Sequence, residues 1–307
     1  MRILHCFNWR LTDIIPILED VKSQGFDAIQ INPIQPLKED GLKEWWMSYQ
    51  PIDFSIGNYF GTKEDLIKLC EEADKYGLRI FSDVVINHMG SAIDDNFKPH
   101  PKVNYQLQKD EYWRPKIKVS DWKNRQDVIH NCINLPGLNV YHPFVEDMIV
   151  KFLNELIDCG VTGFRFDAAK SIGLPSEGYR FWPNIIYRLK KYGLFLYGEV
   201  IFEEDIKVRD EYALYMHILG NYDCSNSDQM VKYIENHDTF LSDDELGYSK
   251  NWPSSLIVNE YSNLVKHYQN TLFYMRPFDD SWKDEKIKNA HSITKEKIKI
   301  LEFMKGK

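Results

Sequence analysis

The sequence lacks the features of a membrane-spanning, a secreted or a nucleic-acid-binding protein. No apolar run approaches the ~20 residues needed to cross a bilayer. The first ten residues, MRILHCFNWR, do not resemble a basic segment followed by an apolar stretch and a cleavage site. The chain has 38 basic and 46 acidic residues, a net charge of −8, which argues against a nucleic-acid-binding surface. We therefore expect a cytoplasmic protein with no membrane or nucleic-acid partner.

The sequence also lacks paired cysteine motifs. The five cysteines (Cys6, Cys70, Cys132, Cys159 and Cys224) form no C-x-x-C pair, are odd in number and mostly lie inside apolar patterns. This distribution favours buried thiols in a reducing compartment over a disulfide framework or a metal site.

The length and patterning indicate a globular α/β chain. Its 307 residues, 43% of them hydrophobic, fit either two domains or one barrel of about 250 residues or more. Short apolar strands alternate with amphipathic helices, which predicts parallel pairing through right-handed crossovers. About eight such units favour a (β/α)8 TIM barrel. An open doubly wound sheet is the alternative, but no strand is followed by a glycine-rich phosphate-binding loop.

The pattern predicts where the individual elements lie. Strands are expected at ILHCF, AIQI, LRIFSDVVI, GFRF, LFLYGEV, ALYMHI, MVKYI and TLFYM. Helices are expected near residues 11–21, 62–76, 143–160, 178–192, 256–268 and 293–304, and the segment between the fifth and seventh strands is unusually short of helix.

One stretch interrupts the repeat. Residues 89–142 are polar and contain Pro99, Pro101, Pro115 and Pro136. We predict a small subdomain inserted after strand 3, with residues 1–88 and 143–307 forming the catalytic barrel. A loop that follows a barrel strand lies on the C-terminal face, so the insertion should form one wall of an active site.

Four predicted strand ends carry charged residues. They read DVVINH (83–88), GFRFDAAK (163–170), YGEV (197–200) and IENHD (234–238). A single carboxylate of this kind would most simply form an ion pair at the end of its strand. Four at successive strand ends, with an arginine among them, suit glycoside hydrolysis, in which one acid attacks or stabilises C1 and another protonates the leaving oxygen.

In order and spacing, these four segments resemble the signature regions of the α-amylase family, glycoside hydrolase family 13. Further likeness to the animal-type, chloride-dependent members lies in HCFNWR, WWMSYQP, INHMG and GEVI. The resemblance implies a retaining, endo-acting α-1,4-glucan hydrolase (α-amylase) that acts on starch, glycogen or maltodextrins. The alternatives are a transglycosidase of the 4-α-glucanotransferase type and a catalytically silent sugar-binding protein.

The resemblance also implies roles for three acids. Asp167 matches the nucleophile, Glu199 the general acid/base, and Asp238 the acid that binds the C2 and C3 hydroxyls. Arg165 lies two residues before Asp167 and so on the same face of the strand, where its charge should keep the nucleophile ionised. Glu199 must instead stay protonated at neutral pH, which partial burial and neighbouring carboxylates would favour.

Further positions match sugar contacts of the family. His88 and His237 match histidines that hydrogen-bond the glucose at the cleavage point, Tyr49 a tyrosine that stacks on it, and Trp45 and Trp46 an aromatic pair at the non-reducing side. Arg165 is also expected to bind the substrate. Lys170 matches a lysine that contacts sugars on the leaving-group side of the cleavage point. For each tryptophan, packing in the core is the alternative.

Two ions are part of the resemblance. Arg165, Asn236 and Arg276 match the chloride ligands of the animal-type enzymes, and a bound anion would raise the pKa of Glu199. The structural calcium of the family takes Asn87 and an aspartate from an LPDL-like segment. That segment reads LPGLN in this chain, and Gly137 cannot supply a carboxylate, which weakens a site of this kind. Ser171 stands where a histidine normally contributes its carbonyl.

The sequence ends in a predicted barrel helix, KILEFMKGK. We therefore expect a member of the family without the C-terminal β-sandwich domain. The sequence predicts neither the oligomeric state nor the preferred length of the oligosaccharide.

Overall fold

Eight short apolar segments pair side by side into a closed parallel barrel. The computed structural model describes residues 1–39, 44–242, 246–249 and 251–275. Each strand pairs with the next one in the chain, and the last pairs with the first between Arg2↔Thr271 and His5↔Tyr274. The strands are β1 (Arg2–His5), β2 (Ala28–Ile31), β3 (Arg79–Val84), β4 (Gly163–Phe166), β5 (Phe195–Glu199), β6 (His217–Leu219), β7 (Met230–Tyr233) and β8 (Asn270–Tyr274). The predicted TIM barrel is confirmed, and the open sheet is excluded.

Helices connect most of the strands. They are α1 (Leu11–Ile14), α2 (Leu18–Ser23), α3 (Lys63–Lys75), α4 (Arg125–His130), α5 (Pro143–Asp158), α6 (Phe181–Tyr187), α7 (Ile206–Tyr212), α8 (His237–Leu241) and α9 (Ser254–His267). At the start of α3, the Thr62 side chain accepts from the Asp65 amide and the Asp65 carboxylate accepts from the Thr62 amide. None of the helices within the described ranges is long and apolar enough to span a membrane.

The structure interrupts the first predicted helix and contains three helices, α4, α7 and α8, that the pattern did not predict. The first predicted helix is split into α1, a 3₁₀ turn (Ile15–Ile17) and α2, because Pro16 lacks the N–H that a continuous helix needs. Between β6 and β7 the chain forms only a 3₁₀ turn, Ser227–Gln229. The predicted helix at 293–304 lies outside the described residues.

Alternation along the strands separates the interior of the barrel from its outer surface. Side chains two apart point to the same face of a strand. Aliphatic and aromatic residues fill the interior: Ile3, Ala28, Phe81, Phe195, Tyr197, Leu219, Val231 and Leu272. Two positions beyond Phe81 and Tyr197, toward the C-terminal end, the interior positions are Asp83 and Glu199. In β4 the same alternation puts Arg165 and Asp167 on the interior side. Asp83, Asp167 and Glu199 therefore lie at the C-terminal end of the apolar interior.

The segment 89–142 runs between β3 and α5, as the sequence indicates. It contains two 3₁₀ turns (Tyr105–Leu107 and Asp110–Tyr112) and α4. Single bridges connect it to itself and to the end of the preceding strand, as between His88 and Gly137. The domain boundaries at 88 and 143 stay a prediction.

Candidate active site

One buried arginine connects three carboxylates at the C-terminal end of the barrel. Nη1 of Arg165 lies 2.7 Å from Oδ1 of Asp167 and 3.0 Å from Oδ1 of Asp83, and Nη2 lies 2.5 Å from Oε1 of Glu199. Arg165 is 1% exposed and Asp83 is fully buried. Since strands β3, β4 and β5 are neighbours, their C-terminal residues meet at this point.

One guanidinium cannot balance three negative charges at low dielectric, and the pKa values reflect this. Burial raises the pKa of Glu199 to about 7 against the opposing charge of Arg165, with Asp167 and Asp238 adding to the rise. Burial likewise raises the pKa of Asp83 to about 7, opposed by Arg165. Although burial opposes its charge, the surrounding carboxylates hold the pKa of Arg165 well above its ordinary value. A proton is therefore held within this cluster near neutral pH.

The residue after Asp167 has a strained backbone. Ala168 adopts φ 47°, ψ 35°, in the left-handed region that non-glycine residues rarely occupy. In this conformation its amide donates to Oε2 of Glu199 at 2.9 Å. Such strain persists where the surroundings enforce it and is common in active sites. It positions Glu199 with respect to the loop that carries Asp167.

A cleft of about 750 Å³ opens above this cluster. The predicted site residues that line it are Tyr49, Trp45, Trp46, His88, Asp167, Glu199, His237 and Asp238. Ile93, Asn96, Trp122, Ile133 and Asn134 line it from the segment 89–142. A cavity of about 830 Å³ elsewhere in the described part of the chain has Asp110 as its one carboxylate. The candidate active site is therefore the cleft lined by Asp167, Glu199 and Asp238.

Aromatic rings build one wall of the cleft. His237 stacks on Tyr49, with ring centroids 4.9 Å apart, and on Phe7 at 4.7 Å. The Tyr49 hydroxyl donates to Asp83 at 2.8 Å, which fixes the ring over the acid cluster. Trp45 meets His237 edge-on, whereas Trp46 is 40% exposed. Flat aromatic faces in an open cleft suit the apolar faces of sugar rings.

Burial disfavours the charged form of the two predicted histidines. Burial lowers the pKa of His88, and burial with the charge of Arg165 lowers that of His237 well below its ordinary value. Nε2 of His88 lies 3.0 Å from the Tyr49 carbonyl, and Nε2 of His237 lies 3.6 Å from Oδ2 of Asp238. Nδ1 of each ring is buried without a hydrogen-bond partner in the described structure. These nitrogens are therefore candidates for binding a hydroxyl.

Two predicted sugar contacts do not line the cleft. Arg165 lies beneath it, behind the carboxylates. Nζ of Lys170 donates to the Phe202 carbonyl at 3.0 Å and lies 3.8 Å from Oε2 of Glu203. Lys170 is 7% exposed. Its predicted sugar contact would require this arrangement to open.

Asp83 is a site residue to which the sequence reasoning assigned no role, although it begins one of the four strand-end segments. It accepts from both Arg165 and Tyr49 and is inaccessible to a substrate. Asp83 lies two residues after Phe81, which faces the barrel interior. This spacing could have indicated that the carboxylate of Asp83 also faces the interior.

The ion sites are only partly described. Of the predicted chloride ligands, Arg165 donates its hydrogen bonds to carboxylates. Asn236 caps α8, because its side chain accepts from the Thr239 amide. Arg276 lies outside the described residues. At the predicted calcium site, both polar atoms of the Asn87 side chain are buried without a partner in the described structure. No group of three or more His, Cys, Asp or Glu side chains is arranged to hold a metal in the described ranges.

Comparison with known proteins finds α-amylases and α-amylase-related proteins among the relatives of this chain. A family model described as "Alpha amylase, catalytic domain" matches residues 10–185. The match includes Asp167 but ends before Glu199. An α-amylase from Clostridium acetobutylicum is 34% identical over 227 residues, which are 70% of this chain and 30% of that protein. An α-amylase-related protein from Drosophila auraria is 32% identical over 55% of this chain and 36% of its own length.

The fold agrees with this grouping. The crystal structure of an α-amylase from Geobacillus thermoleovorans in complex with acarbose superimposes with a TM-score of 0.75 at 20% identity, covering 98% of this chain and 76% of that one. An identity this low shows the fold alone. The chain spans about a third of the length of the curated relatives it matches.

Proposed function

The chain belongs to the α-amylase family of glycoside hydrolases, and from this premise we propose that it is a retaining, endo-acting α-1,4-glucan hydrolase. The observation that carries the proposal is the Arg165 cluster, in which Asp167 and Glu199 are bound to different η-nitrogens of one guanidinium. A bridged pair of this kind favours the separation of about 5–5.5 Å typical of retaining enzymes over the wider one of inverting enzymes.

Asp167 is suited to be the nucleophile. Arg165 accounts for one of its carboxylate oxygens, and the other accepts no hydrogen bond from the described residues. In the first step this oxygen bonds to the anomeric carbon while the glycosidic C–O bond breaks. Glu199 gives its proton to the leaving oxygen, so both the new sugar end and the covalent glycosyl-enzyme are formed without a free alkoxide.

The second step reverses these roles. Glu199, now ionised, takes a proton from water, the water oxygen bonds to the anomeric carbon, and the bond to Asp167 breaks. Asp238, whose side chain is 23% exposed in the cleft, is placed to accept hydrogen bonds from sugar hydroxyls. Tyr49 and the two tryptophans supply stacking faces. Chloride near the acid, as the resemblance implies, would raise the pKa of Glu199 further.

The test is product analysis with a maltoheptaose blocked at its non-reducing end. We expect the wild type to release shorter oligosaccharides whose new reducing ends are α-anomers, as polarimetry or NMR would show. Asp167→Asn keeps the shape of the nucleophile and should abolish turnover. Asp74→Asn, on an exposed position of α3, is the matched control and should retain it.

The outcomes separate the alternatives. Products longer than the substrate would identify a glucanotransferase, because a second sugar and not water then takes the glycosyl unit. Initial β-anomers would contradict the nucleophilic role of Asp167. A wild type that binds maltodextrins without any turnover would overturn the proposal in favour of a sugar-binding protein.

A further inference from the structure

Arg114 is a buried cation in the segment 89–142 that the proposed chemistry does not use. It is 6% exposed, and no carboxylate of the described residues lies within 4 Å of its guanidinium. Placing an arginine in such surroundings costs free energy unless its donors are satisfied. Its function must therefore be sought in what the guanidinium binds.

The guanidinium binds three backbone carbonyls that belong to two separate segments. Nε donates to Leu138 at 3.1 Å, Nη1 to Asn131 at 3.2 Å and Nη2 to Ser171 at 2.8 Å. The first two carbonyls belong to the segment 89–142. Ser171 belongs to the turn after β4, four residues beyond Asp167. One cation thus ties the inserted segment to the loop that carries the proposed nucleophile.

Arg114 contacts two positions of the calcium site that the family resemblance implies, Ser171 and Gly137. Ser171 occupies the position whose carbonyl the resemblance assigns to the metal. The Leu138 amide donates to the Asn87 carbonyl at 2.9 Å, and the side chain of that asparagine is buried without a partner in the described structure. Two oxygen atoms that the resemblance assigns to the metal, Oδ1 of Asn87 and the Ser171 carbonyl oxygen, are therefore present, but the carbonyl already binds a guanidinium.

Gly137 explains why the carboxylate is missing. A Cβ atom added to Gly137 would lie 2.9 Å from Cδ of Arg114, closer than packed carbon atoms approach. The Arg114 amide also donates to the Gly137 carbonyl at 2.8 Å, so the two residues are fixed against each other. The space that an aspartate side chain would enter at 137 is filled by the stem of Arg114.

The residues present do not fit calcium. Ca²⁺ needs six to eight oxygen ligands, usually with carboxylates among them. This site lacks the carboxylate, and a divalent ion would be repelled by the guanidinium that shares the Ser171 carbonyl. We infer that Arg114 is a built-in replacement for the structural metal, a covalently attached cation that holds the inserted segment against the loop after β4.

The first test is thermal unfolding of the wild type, whose result does not depend on whether the protein hydrolyses glucans. We expect the midpoint to stay the same after exhaustive chelation with EDTA and after addition of millimolar Ca²⁺. A midpoint that falls on chelation and returns with Ca²⁺ would overturn the inference.

The second test removes the guanidinium. Arg114→Met should lower the unfolding midpoint by roughly 5–10 °C, because three buried carbonyls lose a charged donor. Arg114→Lys, which keeps the charge but not the fork of donors, should recover part of the loss. An unchanged midpoint in Arg114→Met would contradict the inference. If that variant does not fold, the Arg114→Lys variant and the wild-type chelation series decide.

The third test rebuilds the metal site. In the double variant Arg114→Ala, Gly137→Asp, the stem is gone and a carboxylate faces the freed carbonyls, so Ca²⁺ should now raise the midpoint. Arg79→Met is the matched control, because Arg79 donates to the Thr162 and Gly193 carbonyls near the opposite end of the barrel. It should stay insensitive to Ca²⁺. If the unfolding midpoint of the folded double variant does not rise with Ca²⁺, the guanidinium does not occupy the position of the metal, and the inference is wrong.

Discussion

Replacing Glu199 by Gln should abolish turnover and at the same time make the stability of the fold less sensitive to rising pH. Glutamine has nearly the shape of a protonated glutamic acid and cannot ionise. The wild-type carboxyl must ionise as the pH rises, and it does so in a buried position beside Asp167 and within the field of Asp238. The variant avoids that cost.

The size of the effect follows from the pKa. Burial raises the pKa of Glu199 from 4.5 to about 7, which corresponds to about 3 kcal/mol between the folded and unfolded states. In the unfolded chain the carboxyl loses its proton near pH 4.5, whereas in the folded protein it keeps it up to about pH 7. The contribution to stability is therefore full below the lower value, falls as the pH rises between the two, and is absent above the higher one.

Thermal unfolding of the wild type and Glu199→Gln across this range tests the reasoning. At the acidic end the variant should be the less stable of the two, because its amide nitrogen must face a donor, either Nη2 of Arg165 or the Ala168 amide. From there to mildly alkaline pH, its midpoint should rise by roughly 5–10 °C relative to that of the wild type. Glu64→Gln, on the exposed side of α3, should shift the midpoint by the same small amount at every pH. A difference between the two midpoints that does not change with pH would refute the reasoning.

Four further predictions concern activity. Because the acid must be protonated, kcat/KM of the wild type should fall as the pH rises above about 7; a pH–rate profile that stays flat into the alkaline range would contradict this. Asp83→Asn should lower kcat/KM by about 100-fold, since Arg165 and Tyr49 lose their shared anchor; steady-state kinetics near wild-type values would show that Asp83 does not position the site. Tyr49→Phe keeps the stack on His237 and loses only the hydroxyl, so a smaller loss of about tenfold is expected, and a loss equal to that of Asp83→Asn would contradict the separation of these two contributions. Exhaustive removal of chloride should lower kcat/KM on maltooligosaccharides and move the alkaline limb to lower pH, because the anion no longer raises the pKa of Glu199; unchanged kinetics would exclude a chloride site.

Much of the fold could be predicted because it depends on local patterns. Apolar β-branched runs identified strands such as β3, and apolar residues at helical spacing predicted a helix near 62–76, where α3 lies. The carboxylates at strand ends were visible because a charged residue interrupts an apolar run. Pro16 shows where the pattern was insufficient: the apolar spacing continued through it, but the missing N–H broke the helix.

The contacts that complete the site depend on pairs far apart in the chain. Asp83 meets Arg165 across 82 positions, which requires the register of β3 against β4. Lys170 turns toward Phe202 because Ala168 takes a left-handed conformation that the letters DAAK do not reveal. The carbonyl partners of Arg114 lie 17, 24 and 57 positions away, so the sequence showed only that a carboxylate is absent at Gly137.

The strict alternation in β4 has a consequence for how such a site can diversify. Arg165 and Asp167 face the interior because they are two apart, while Phe164 and Phe166 face the surrounding helices. Deleting one residue within GFRFD would exchange the two sets, burying aromatic rings where the charges belong. Insertions and deletions can therefore accumulate in the loops of this barrel but not in its strands. Changes of substrate are expected to arise in segments such as 89–142, while the acids keep their spacing.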